Sequence, residues 1–338
     1  MLMFTDNGTS PAKLGGSSSA KSLATGFFLL LLSTFASIAT ATYSIVATDS
    51  KTKQVGGAGA TCLPDRNIYD ALYLSVPGSS VLHTQGWLLE RDDPIVTTAV
   101  ARMEEGATPD AVLEAMYALD LSDITYEGET NEPIITVPEL SMRQYGIADF
   151  SSTAAYSGES LAYVYEAYGY GGGEIADGGK TNLDDRYNYH AMGNIVTNGT
   201  IASLQSGFED QDEDKYNFGL CDMAGKLMTA MSRVADGGFG DMRCLFSEVP
   251  VSATGGYLHI DNADGTVLIH IDWVGSGDKE PVEVMKEQFY TWRKENPCDN
   301  ASSGSSTRVS PLITVSTVFG ISSLIYLSLF EGCCCCFL

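Results

Sequence analysis

The sequence predicts an α+β fold in which antiparallel sheets are covered by helices. Two observations lead there. Residues 42–61, 143–157 and 255–274 each read as two β-prone runs around a turn, and amphipathic segments at helical spacing lie between and after them. Hairpins bracketed by helices bury one sheet face against a further layer.

Taken in order, residues 42–48 are rich in β-formers, residues 50–54 form a polar turn, and residues 55–61 are a strand of small residues. Strand alternation puts Thr42, Ser44 and Val46 on one face and Tyr43, Ile45 and Ala47 on the other. Asp49 is then a turn cap. Residues 94–105 and 108–119 are helical, the second opened by a Thr108 cap with Pro109 at the first helical position. Residues 120–138 read as an irregular acidic stretch, and residues 143–149 and 152–157 as a hairpin. Residues 159–186, rich in Tyr and Gly, read as an excursion or lid. Its Gly178-Gly-Lys-Thr181 is not a phosphate loop, because the required earlier glycine falls at Glu174. Residues 187–196 resume strand character, residues 201–208 and 218–235 are helices, the latter with Asp236-Gly-Gly as its cap, and residues 281–295 are a closing helix. The acidic run 210–214 lacks the glycine and terminal Glu of a calcium loop and reads as a solvated loop.

The chain has 338 residues and a formal net charge of −24. That charge excludes nucleic acid as a partner, since phosphate binding needs clustered Lys and Arg. Lys13 and Lys21 precede an apolar run from residue 23 to 32, and small residues follow to Ala39-Thr-Ala41. This is the order of a secretory signal, cleaved after Ala41, so that residues 1–41 are leader and the mature chain begins at Thr42. An uncleaved signal anchor is the alternative. Residues 42–298 form the domain, and residues 299–311 are a Ser-rich linker. Residues 312–330 are an apolar, uncharged segment, and residues 331–338 a Cys-rich tail. The apolar segment reads as a transmembrane helix, with a cleaved lipid-anchor signal as the alternative. The expected location is the secretory pathway, with the domain cell-surface or lumenal and membrane-anchored.

Four of the eight cysteines belong to that tail, leaving Cys62, Cys221, Cys244 and Cys298. In an oxidising compartment these make two disulfides with three possible connectivities. Asn198-Gly-Thr and Asn300-Ala-Ser are acceptors for N-glycosylation in an exported chain. His83, His259 and His270 are scattered without metal-ligand spacing, so neither metal nor cofactor is expected.

Six ordered segments carry a family resemblance: TYSIVATD (42–49), TQ (84–85), RQYGIAD (143–149), AAYSG (154–158), YHAMGNIV (189–196) and GDMRC (240–244). In this order they resemble landmarks of the DUF1028 family, over roughly residues 42–274. The resemblance implies a branch of the N-terminal nucleophile hydrolase fold, a four-layer α-β-β-α sandwich. Related sequences begin Met-Thr, so here the signal cut has to expose the threonine. Cys62-Leu-Pro-Asp-Arg departs from the small apolar sequence expected after the second strand.

An N-terminal threonine joins a hydroxyl nucleophile and a free α-amine base on one residue. Thr42 is therefore the candidate nucleophile. Asn194, Gln85 and Arg143 are candidates for oxyanion stabilisation, with Ser44 and His190 as proton or orientation partners. Asp241 and Arg243 are a candidate supporting pair. Each has a plainer reading: a strand threonine, ion-pair members at Arg143 and Asp241, a turn former at Asn194, a packed strand residue at His190.

Two functions follow. The first is an exported, membrane-tethered amidohydrolase acting on a small amide or peptide-like substrate, with self-association left open. The second is a non-catalytic domain that binds glycan or protein through the Tyr-rich excursion.

Overall fold

The computed structural model describes residues 42–63, 67–126, 135–161, 173–211, 215–275 and 277–298. The leader, the linker, the apolar C-terminal segment and the Cys-rich tail lie outside the described residues. So do Asn300, the middle of the Tyr-rich excursion and most of the acidic run at 210–214. Among the described residues no helix is long and apolar enough to cross a membrane.

Two antiparallel sheets form the centre. Strand β1 (Thr42–Asp49) pairs with β2 (Gln54–Thr61) through the polar turn, as its alternating sequence dictates. Helix α1 (Ile68–Leu72) leads into β3 (Tyr73–Val76), which pairs with β4 (Ser80–Gly86). Helices α2 (Pro94–Glu104) and α3 (Pro109–Tyr117) follow, each with proline in its first turn and a side-chain cap, Asp93 and Thr108 respectively.

The stretch expected to be irregular instead holds a short ladder of β5 (Asp123–Tyr126) with β6 (Ile135–Pro138). Strands β7 (Arg143–Asp149) and β8 (Thr153–Ser157) form the expected hairpin. The excursion is also shorter than expected. Its second half is β9 (Glu174–Leu183), which pairs with β10 (Tyr187–Val196). Its glycines and charges conceal the strand because β9 is a sheet edge, mostly exposed or half-buried, and edge positions need not alternate.

Helices α4 (Thr200–Glu209) and α5 (Met223–Asp236) come next. The latter starts at its Asp222 cap, later than residue 218, and ends at Gly237. A short α6 (Met242–Leu245) precedes the hairpin of β11 (Gly255–Asp261) and β12 (Val267–Val274), and α7 (Pro281–Glu295) closes the domain.

The larger sheet runs β12-β11-β2-β1-β10-β9 and the smaller β3-β4-β7-β8. Alternation decides which residues meet. Tyr43, Ile45, Ala47, Tyr189 and Ala191 pack outward with Leu204, Phe208 and Leu227 from α4 and α5 and with Met285 and Phe289 from α7. Leu82, Tyr145 and Ile147 pack outward on the other side against Val96, Met103 and Leu113 of α2 and α3. Between the sheets Val46 and Val55 meet Val81 and Ala148. The layers are therefore helix, sheet, sheet, helix, with the β1 face that carries Thr42 and Ser44 turned toward the smaller sheet.

Two disulfides resolve the open connectivity, Cys62 with Cys244 and Cys221 with Cys298. The first ties the end of β2 to α6. The second ties the segment after α7 to the loop before α5.

Candidate functional site

The inter-sheet layer is apolar at its middle and polar at the end where β1 begins. Thr42 sits there, 1% exposed, with Asn194 of β10 and Thr61 of β2 as its cross-strand neighbours. Residues directly opposite on one face bring their side chains together. The Thr42 hydroxyl donates to Thr61 Oγ1 at 3.3 Å. Below it lies an apolar cavity of about 10 Å³, lined by Leu63, Ile68, Ala71, Leu72 and Leu88 as well as the two threonines. Such a space holds one water at most.

A chain of neutral polar groups runs from β1 into the other sheet. Ser44 Oγ donates to Gln85 Oε1 at 2.8 Å, and Gln85 Nε2 donates to Gln144 Oε1 at 2.8 Å. The same Gln144 oxygen accepts from Asn194 Nδ2 at 2.9 Å. Gln144 Nε2 in turn donates to Ser157 Oγ at 2.9 Å and to the Gly193 carbonyl at 3.1 Å. Ser157 donates to Asp177 Oδ2 at 2.5 Å, and His190 Nε2 lies 3.4 Å from Asp177 Oδ1. The His190 contact and the Ser157 bond hold the Asp177 carboxyl below the usual carboxylate range, although burial works against them. Asn194 Oδ1 has no hydrogen-bond partner among the described residues, although Asn194 is fully buried. A buried acceptor left open in this way costs free energy unless something supplies a donor.

The predicted residues thus divide. Thr42, Ser44, Gln85, Asn194 and His190 all face the inter-sheet layer, with Thr42 beside Asn194 and Ser44 bonded to Gln85. Arg143 does not. It lies on the outer face of β7, its guanidinium 2.9 Å from Asp120 and 2.5 Å from Glu139. The reason is the strand period, which turns Tyr145 and Ile147 outward with it and Gln144 inward. Gln144 is the residue that sequence reasoning missed, and alternation through RQYGIAD is the signal that could have found it.

Asp241 and Arg243 do form an ion pair, at 2.8 Å. Asp241 also accepts the Cys62 backbone N–H at 2.8 Å, so it anchors the end of β2 beside the disulfide. Burial pushes its carboxyl pKa up while Arg243 and the N–H donors pull the other way. Its role in the described residues is to hold the strand that carries Thr61.

A search of solved structures matches a crystal structure of a Silicibacter pomeroyi protein described as DUF1028. The TM-score is 0.51 at 16% identity, covering 75% of this chain and 86% of that one. No family model and no curated protein matches the chain. The likeness is one of fold, and at that level it agrees with the resemblance read from the six sequence segments.

Proposed function

We propose that this chain, which has the fold of a DUF1028 protein, is an exported and membrane-tethered N-terminal nucleophile amidohydrolase whose nucleophile is Thr42. The substrate class is a small amide or peptide-like molecule. The observation that carries this reading is the pairing of Thr42 with Asn194, a buried residue whose Oδ1 has no donor among the described residues. Cleavage after Ala41 turns the Thr42 backbone N–H into a free α-amine, a base with an additional N–H to donate to such an acceptor.

In the reaction, Thr42 Oγ1 attacks the amide carbonyl carbon and its proton passes to the α-amine. The α-amine then delivers that proton to the leaving amine as the C–N bond breaks. Water hydrolyses the resulting ester, releasing the carboxylate and restoring the hydroxyl. Asn194 orients the amine, and Gln144 fixes Asn194 and Gln85 together, with Ser44 bonded to Gln85. These groups are positioning residues. The surroundings are uncharged carboxamides and hydroxyls on one side and Leu63, Ile68 and Leu72 on the other, which favours a neutral substrate.

The non-catalytic alternative draws on one observation, the 1% exposure of Thr42. An amide-directed covalent probe separates the two. Labelling of purified mature protein that is lost in Thr42→Ala supports the hydrolase, and equal labelling of both proteins overturns it.

A further inference from the structure

We infer that His259 and His270 form an acid-sensitive clasp, which holds the edge strand β12 to β11 at neutral pH and lets go when the pair takes up a second proton. Three of the four histidines of the chain gather in this region, His83, His259 and His270. None of these three belongs to the Thr42 site.

His259 and His270 are direct cross-strand partners, and their Nδ1 atoms lie 3.0 Å apart. Two ring nitrogens at that distance need one proton between them. With none, two lone pairs collide; with two, two N–H groups do. The neighbours fix which nitrogen carries it. Asp261 accepts from Tyr73 at 3.0 Å and from Ser75 at 2.7 Å, and its other oxygen lies 2.9 Å from His259 Nε2. A carboxylate only accepts, so His259 carries its proton on Nε2 and presents a bare Nδ1 to His270. His270 must therefore donate from Nδ1. Protonating both rings puts a hydrogen on both facing nitrogens and the contact has to open, whatever the surrounding charges.

The other groups around the pair do not change that outcome. From α1, the Tyr69 ring packs 4.7 Å from His259 and 4.6 Å from His270. Arg91 lies over Tyr69 and pairs with the exposed Asp70. From β12 itself, Asp272 stands 3.9 Å from His270 Nε2 at a partly exposed position. From β4, His83 is fully buried and bonded to Tyr257, and burial lowers it to about 3, so it stays neutral. Burial and the adjacent His259 hold His270 below the ordinary imidazole range. Burial tends to raise the Asp261 carboxyl, but the bonds from His259, Ser75 and Tyr73 outweigh it and hold it low. An unfolded imidazole takes its proton near pH 6.5. Below that value the unfolded chain binds a proton that the clasp resists, and stability falls as pH drops. β12 is a sheet edge, so the opening is confined to one strand.

The test uses the full chain, comparing wild type with His270→Gln, which can still donate to His259 but does not titrate. Between pH 7.5 and 5.0 the Tm of wild type should fall on the order of 3 °C further than that of the variant. Equal slopes overturn the clasp. Should the variant fail to fold, hydrogen exchange on wild type decides. Loss of protection in residues 267–274 that follows the titration of His270 supports it, and protection unchanged through that titration overturns it.

Discussion

Gln144 Oε1, on the smaller sheet, accepts from Asn194 Nδ2, on the larger, at 2.9 Å and from Gln85 Nε2 at 2.8 Å. One side chain therefore joins both sheets at the end where Thr42 lies. Gln144→Leu is nearly isosteric but leaves two buried donors without an acceptor. At roughly 1–3 kcal/mol for each stranded group, the loss should be several kcal/mol. Denaturant unfolding should show a lower midpoint with an unchanged slope.

A second prediction concerns close approach. A Cβ on Gly57 would lie 2.5 Å from His83 Nε2 and 2.9 Å from the Ile45 carbonyl. His83 cannot step aside without losing its 2.6 Å bond to Tyr257. Gly57→Ala should cost roughly 1–3 kcal/mol by overpacking. Thermal melts of wild type and variant measure it.

Asp49 and Arg186 supply a third. Arg186 donates from Nε at 2.8 Å and from its terminal nitrogen at 2.6 Å to the two oxygens of a fully buried carboxylate. Burial alone would raise the Asp49 carboxyl, but Arg186, Thr52 and the Lys51 N–H hold it below its ordinary value. The stabilisation is thus present above about pH 3.8 and is lost as pH falls through the lowered value. Arg186→Ala should cost about 3 kcal/mol at pH 7. That cost should shrink as the pH falls below about 3.8 and through the lowered Asp49 value. Arg186→Lys should recover little, since an ammonium cannot make the paired contact. Unfolding curves at both pH values check each statement.

The disulfides close long stretches of chain, with separations of 182 residues for Cys62–Cys244 and 77 for Cys221–Cys298. In the chain-entropy account each contributes roughly 4–5 kcal/mol through the unfolded state. Peptide mapping without reductant should recover these two pairs. Reduction should lower the Tm sharply.

Much of this arrangement was legible in the sequence. Alternation through β1 put Thr42, Ser44 and Val46 on one face, though not which way that face turns, and the proline-led helices appeared where their signals stood. Strand β9 was hidden because an exposed edge places little demand on side-chain type. The ladder of β5 and β6 was hidden because its short strands sit in an acidic, loop-like composition. At the site, alternation links Ser44 to Thr42 and turns Gln144 inward where Arg143 turns outward, and a motif match cannot say which face a residue takes. Pairings such as Cys62 with Cys244 depend on tertiary proximity, which spacing does not encode.

The proposed chemistry depends on one bond. Without a free amine at Thr42, the hydroxyl has no base on its own residue. Intact-mass and N-terminal peptide analysis of the protein purified from the secretory pathway reads this directly. The mature chain should begin at Thr42, and a chain beginning at any other residue rules this chemistry out.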